Sequence, residues 1–315
     1  MLLRLVRQRY RVALVGFVFG AAFVVACGKT SGDREASGQN LWRDFSGEKA
    51  FAHVEKLVGF GPRPPASDAI EKSRAYIIEQ LKNSGWEVSR QEFTDDTPRG
   101  KIRFVNLIAR FRPAQTETSS PSFLLCSHYD TKTFDTTRFV GANDGGSSTG
   151  LLIELGRVLA ERPTLARKIE LVFFDGEEAY EAFTDTDGLY GSRYFAKQLV
   201  AEHRVQQYQA GILFDMIGDK SLNITLPPDS PPKMAREIFA AADALKVRQH
   251  FTYFESGITD DHTPLNTAGV PVMDLIDFDF PPWHTAGDTL DKISAESLGI
   301  VGSVALRYLS ETALK

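Results

Sequence analysis

The sequence predicts a single α/β/α domain with a mixed, mostly parallel central sheet, on three observations. Short apolar runs such as Phe123–Ser127, Ile169–Phe174 and Gly211–Phe214 lack polar alternation, the mark of strands buried on both faces. Helical patterns of ten or more residues alternate with these runs, the order of an α/β sheet covered by helices. The 315 residues are 43% apolar and 24% charged, enough to build a large core. This composition excludes wholesale disorder, a collagen-like fibre and a multi-span membrane protein. A net charge of -5 provides no global basic field for nucleic acid, and two cysteines cannot make a disulfide framework.

The chain begins with Arg4, Arg7, Arg9 and Arg11, followed by an apolar run from Val12 to Ala26. A basic head, a short apolar stretch and small residues before a cut site describe a signal for export. Val24-Val25-Ala26-Cys27 resembles a bacterial lipobox, so 1–26 reads as a lipoprotein signal peptide. The resemblance implies that Cys27 carries the lipid and that the domain is exported and anchored in the bacterial cell envelope. An uncleaved anchor helix is the alternative, although the run is short for a bilayer core of about 30 Å. Cleavage would remove four arginines and no acid, moving the net charge from -5 to -9. Residues 27–41, small and polar, read as a flexible spacer, and 42–315 as the folded domain with no second linker.

Within that domain, helical patterns cover Lys49–Val58 and Ser67–Asn83, the second closed by Gly85. Trp86–Phe93 and Ile102–Arg112 read as strands that can pair. Phe123–Ser127 is a buried strand, with Cys126 as a small core residue. Ser148–Glu161 is a helix with Leu151, Leu152, Leu155, Val158 and Leu159 on one face. Then follow strand Ile169–Phe174, helix Ser192–Glu202, strand Gly211–Phe214, helix Lys233–Ala244, strand Val270–Ile276 and helix Glu296–Leu309.

The chemistry stands just past the strand ends. His128 and Asp130 follow the first buried strand, Asp144 the next segment, and Asp175, Glu177 and Glu178 the strand ending at Phe174. Asp215 follows Phe214, and Trp283-His284 lie beyond the strand ending at Ile276. Ligands gather outside the carboxyl ends of strands in open α/β sheets, so these groups predict one crevice. Two imidazoles and several carboxylates without an available thiolate form a nitrogen and oxygen donor set suited to zinc. Adjacent Glu177 and Glu178 repel unless a cation lies between them, and one can bind metal while the other reaches substrate. Asp130, two residues from His128, is placed to fix its tautomer.

The motifs HYDTK (128–132), FVGANDGGSSTG (139–150), FFDGEEA (173–179), GLYGSR (188–193), FDMIGD (214–219), DDHTPL (260–265) and WHTAGDTLDKI (283–293) together resemble one zinc-peptidase fold family. It comprises di-zinc aminopeptidases and zinc-dependent glutaminyl cyclases, and the likeness spans roughly residues 50 to 310, closest to bacterial glutaminyl-peptide cyclotransferases. The resemblance implies Asp144, Glu178 and His284 as zinc ligands and Glu177 as general acid/base. In the aminopeptidases a second zinc is held by the positions of His128 and Asp215, with Asp144 bridging. In the cyclases Asp215 instead joins Asp260 in a hydrogen-bonded acid network around a single zinc. HYDTK, the uninterrupted FFDGEEA, DDHTP before a GVPV strand, and Trp283 directly before His284 favour the cyclase. NDGGSSTG and HTAGDTLDKI favour the aminopeptidase. Trp283 then walls a pocket for a small terminal side chain, and Phe183 falls where animal cyclases carry a second pocket tryptophan. Further departures are a shorter aromatic loop before Trp283 and the absence of a disulfide partner for Cys126. The substrate implied is a peptide or protein N-terminus.

Two other readings compete. Gly146-Ser147-Ser148-Thr149-Gly150 matches a serine-hydrolase elbow, with Ser148, Asp215 and His284 in the matching order. The elbow needs a buried strand before it, and Arg138–Asp144 is too polar and glycine-broken for one. A non-catalytic binding protein on the same fold should have lost ligands or the base, and all are present. His53, His203 and His250 read as surface or packing residues, and His262 as structural on a turn. Trp42 and Trp86 read as core, Asp175 as a loop-fixing carboxylate. Asp288 and Asp291 read as braces of the loop after His284.

Overall fold

The computed structural model describes residues 40–111 and 121–315. The signal peptide, Cys27 and most of the spacer expected from the sequence lie outside the described residues. Among the described residues, no helix is long and apolar enough to cross a membrane.

Eight strands form one sheet. β1 (Trp86–Thr97) and β2 (Gly100–Phe111) make a long hairpin, and β3 (Phe123–His128), β4 (Ile169–Phe174), β5 (Ala210–Asp215) and β8 (Val272–Ile276) form the parallel centre. β6 (Ile224–Leu226) and β7 (Phe251–Tyr253) extend the far edge, and the order is β1-β2-β4-β3-β5-β8-β6-β7. β2 and β6 run antiparallel to their central neighbours, so the sheet is mixed, as expected. β6 and β7 escape the sequence reading because three residues are too few to show a period.

The central strands are apolar throughout because helices cover both faces. Phe123 and Leu125 of β3 join one core cluster, while Leu124 and Cys126 point into the other. The first face carries α1 (Gly47–Gly59), α2 (Asp68–Asn83), α3 (Gly146–Ala160), the one-turn α4 (Pro163–Ala166), α6 (Pro232–Ala244) and α8 (Ala295–Tyr308). The opposite face carries α5 (Tyr190–Ala201) and α7 (His262–Ala268). Each fully buried Leu, Ile or Phe contributes about 1.5–3 kcal/mol by leaving water. Ser46 and Ser67 cap α1 and α2 by accepting the N–H of Lys49 and Ile70. Trp86 is buried and donates Nε1–H to Gly156 O at 2.9 Å, whereas Trp42 is only partly buried against the core. Leu41, placed in the spacer by the sequence reading, is itself buried, so it belongs to the packed body.

Register places the functional edge. His128 stands beside Phe174, and Asp215 beside Ile276, so four neighbouring strands release their chains at the same end of the sheet. Two buried arginines hold the loops there. Arg63 donates to the carbonyls of Tyr129, Val140 and Gly141 at 3.2, 2.7 and 3.0 Å. Arg74 pairs with buried Asp175, which also accepts the Val105 N–H, so Asp175 fixes a loop as expected.

Candidate metal centre

Asp144, Glu178 and His284 come from three remote loops and converge. His284 Nε2 lies 3.4 Å from Asp144 Oδ2 and 3.2 Å from Glu178 Oε2. A tetrahedral zinc with bonds near 2.0–2.2 Å needs donor atoms about 3.3–3.6 Å apart, so the trio fits that ion. Asp144 Oδ2 and Glu178 Oε2 are buried and lack a hydrogen-bond partner, a costly arrangement that a cation would relieve.

The other carboxylate oxygen of Asp144 faces a second group. His128 Nε2 lies 3.2 Å from Asp144 Oδ1 and 3.1 Å from Asp215 Oδ1. The second donor set expected from the sequence is therefore also assembled, with Asp144 between the two.

Surrounding side chains position these donors. Asp288 accepts the N–H of Asn143 at 2.7 Å and of Asp144 at 3.1 Å. It thus braces the Asp144 loop, rather than the loop after His284 as the sequence suggested. Asp291 bonds locally to Thr289 and Lys292. Asp130 Oδ1 is 3.5 Å from His128 Nδ1, while its two oxygens accept the N–H of Glu177 and Glu178 at 3.2 and 3.5 Å. Its stronger tie is to the Glu177-Glu178 turn. Gly145 has φ +70°, and a Cβ there would lie 2.9 Å from the His128 ring, so only glycine admits this approach. His284 and Met216 adopt left-handed backbone (φ 54° and 45°), strain concentrated at the site. Trp283 stacks on the His284 ring at 4.1 Å, and Phe139 meets it edge-on at 5.8 Å.

Electrostatics separates the carboxyls. Burial would push Asp144 up, but the facing imidazoles of His128 and His284 hold it well below the usual range. Burial would lower His284, yet Asp144 and Glu178 raise it to about 9. Glu177 is pushed well above the ordinary glutamate range, by burial first and then by the charge of Glu178. Burial also raises Asp215, and raises Asp260 to about 6 with help from Asp215.

Glu177, Asp215, Asp260, Trp283 and Phe183 line one cavity of about 230 Å³ with the trio. That is below the range of about 300–1,000 Å³ for drug-sized ligands and suits a single residue. Trp283 and Phe183 are 38% and 36% exposed, at its mouth.

The serine-elbow reading fails. Ser148 is fully buried in α3 against Ser127 Oγ at 3.0 Å, residues 139–145 form no strand, and His284 faces carboxylates rather than a serine.

The family model for peptidase family M28 matches residues 106–309. The chain belongs to peptidase family M28. A Drosophila melanogaster glutaminyl-peptide cyclotransferase is 30% identical over 266 residues, covering 75% of this chain and 74% of that protein. An Acidobacteriales bacterium glutaminyl cyclase structure superposes with TM-score 0.74 and 35% identity, covering 84% of this chain and 94% of that one. A Zn-dependent exopeptidase from Parabacteroides distasonis gives TM-score 0.77 and 28% identity over 84% of this chain and 98% of that one. The M28 fold thus accounts for the sheet and for the edge on which these donors meet.

Several contributors were not foreseen. Phe254, Ile258, Phe278 and Met216 complete the cavity wall, and Phe278 packs on Trp283 at 5.1 Å. Lys132, quoted within HYDTK but given no role, lies 3.6 Å from Glu178 Oε2 and 5.9 Å from the Phe183 ring. Behind Asp260 lie Asp261, His262 and Asp274, all buried. His262 opens α7 instead of sitting on a turn, with Nδ1 3.7 Å from Asp274 Oδ2. An aspartate inside the apolar run VMDLI was the available signal for Asp274.

Proposed function

We propose that this chain is a zinc-dependent glutaminyl-peptide cyclotransferase, converting an N-terminal glutamine to pyroglutamate with release of ammonia. The observation that carries the reading is that Glu177, Asp215 and Asp260 line one single-residue cavity together with the metal-donor trio and Trp283. The cyclase relatives, 30% and 35% identical over most of the chain, support it.

In this reading Asp144, Glu178 and His284 hold one zinc. Bound there, zinc supplies Lewis-acid polarisation of the substrate's side-chain amide carbonyl. Glu177 takes a proton from the substrate α-amine, whose nitrogen then attacks its own side-chain carbonyl carbon. The bond from that carbon to the amide nitrogen breaks, and Glu177 returns the proton to the departing ammonia. A carboxyl raised by burial and by Glu178 holds a proton more readily than an ordinary glutamate, as a group that takes and returns one must. Asp260 and Asp215, both raised, line the cavity beside Glu177 and in this reading would keep a proton available to it, because neighbouring carboxylates do not all ionise cheaply. Trp283 packs on the terminal side chain, and Phe183 closes the mouth.

A second reading has its own observation. The closed His128, Asp144 and Asp215 group could hold a second zinc and support a di-zinc aminopeptidase that removes N-terminal residues. Incubation with a Gln-initiated dipeptide and with a leucine anilide separates the two. Ammonia from the first and no amine from the second supports the cyclase, and the reverse selects the aminopeptidase.

We further infer from residues 1–41 that the domain is exported and held in the bacterial cell envelope by lipid on Cys27. Metabolic labelling with a fatty acid should mark the wild-type chain and not Cys27→Ala. Equal labelling of both would dismiss the anchor.

A further inference from the structure

A cavity with room for one residue leaves the rest of a peptide substrate to lie elsewhere. Phe183 and Thr259 wall both this cavity and a neighbouring groove of about 630 Å³ along the seam between α5 and α7. Arg193, Ala196, Lys197 and Val200 line it from α5, spaced as one helical stripe. Thr263, Pro264, Thr267 and Ala268 line it from α7, two adjacent pairs one helical turn apart. Seven residues of helix at 1.5 Å each give a length near 10 Å, which accommodates about three extended residues. Leu189 and Ala196 are buried in its floor, while Lys197 and Val200 stand exposed on its wall. Arg193 lies over the Tyr190 ring at 4.9 Å. Two cations against Asp185 give the groove a positive balance in a chain whose net charge is -5.

We propose that the α5–α7 seam binds the residues following the substrate's terminal residue, and that Lys197 and Arg193 select acidic side chains there. The inference rests on the cyclase reading and adds a sequence preference to it. A second depression shares Phe254 and Phe278 with the cavity, but it carries Glu255 and Asp279 and no cation, so it would favour basic chains.

The test compares kcat/KM for ammonia release from Gln-Ala-Ala-Ala amides in which one Glu or one Lys is moved through positions 2 to 4. Wild type should prefer the best Glu peptide over its Lys counterpart by roughly 2- to 5-fold per charge, the range of exposed ion pairs. The gain should lie in KM and fade in 0.5 M salt. Lys197→Glu, an exposed change outside the catalytic cavity, should erase or reverse the preference while leaving turnover of Gln-Ala amide unchanged. Equal rates for all peptides, a Lys preference, or a Glu preference untouched by Lys197→Glu would overturn the groove assignment, the last also being the result if the groove serves a partner protein. Ammonia from none of the peptides would refute the cyclase reading instead. The groove would then be judged by anisotropy of C-terminally labelled Glu and Lys peptides on wild type and Lys197→Glu, with equal binding of the two peptides refuting it.

Discussion

Glu177→Gln separates proton transfer from metal binding. The substitution keeps the side-chain volume and the backbone N–H that Asp130 accepts at 3.2 Å, and Glu177 is not among the three donors that close on the metal site. What it removes is a carboxyl that burial and Glu178 push well above its ordinary range. General acid/base catalysis contributes about 10²–10⁴-fold, or roughly 3–5 kcal/mol of barrier. Both the α-amine proton and the ammonia proton pass through this group, so the upper part of that range is expected. The loss should fall in kcat, with KM little changed. Folding stability should hold or rise, because an amide in a buried acidic cluster relieves repulsion from Glu178. Coupled-enzyme ammonia detection with a Gln-initiated peptide measures the first quantity, and metal analysis of the same preparation measures the second. Turnover within tenfold of wild type would refute the role of Glu177, and loss of metal along with activity would refute its separation from the donor set.

Other outcomes follow from the same geometry. Asp288→Asn leaves one acceptor for two backbone N–H groups of the Asp144 loop, so zinc affinity should fall about 10- to 100-fold with the fold intact, read by chelator competition. Trp283→Ala removes the ring that stacks on His284 and walls the cavity, and should raise KM for a Gln dipeptide about tenfold, a cost of roughly 1.4 kcal/mol. His53, half-buried with Nδ1 2.6 Å from the Tyr76 hydroxyl, is lowered to about 4 by burial, with Arg157 and Lys49 adding repulsion. The folded state therefore binds fewer protons than the unfolded one between about pH 6.5 and 4. Stability should fall as pH drops through that window, by an order of 2 kcal/mol after allowance for solvent. Denaturant melts of His53→Gln should lack this component, and an unchanged pH slope would count against it.

How far the molecule can be read from its residues depends on how local the signal is. The four central strands are legible because burial on both faces demands unbroken apolar runs, and Phe123–His128 alternates its side chains between two cores as that demands. The donors at strand ends are legible for the same reason, since parallel strands deliver their chains to one edge. β6 and β7 are too short to carry a pattern. α7 hides because Asp260-Asp261-His262 looks polar and turn-like, although all three are buried. Arg63 and Arg74 carry no mark of burial in the sequence, because the carbonyls and carboxylates that surround them come from distant parts of the chain. The same holds for Phe254 and Phe278, whose place in the cavity wall depends on loops meeting from distant parts of the chain. Asp288 shows the limit of proximity: four residues from His284, it serves the loop of Asp144 instead.

The most direct measurement is an anomalous difference map collected at the zinc edge from crystals of the purified protein. The account predicts a single strong peak within bonding distance of Asp144, Glu178 and His284. A peak elsewhere, or no peak beside those three in zinc-supplemented crystals, would contradict it, and a second peak between His128 and Asp215 would transfer the enzyme to the di-zinc branch.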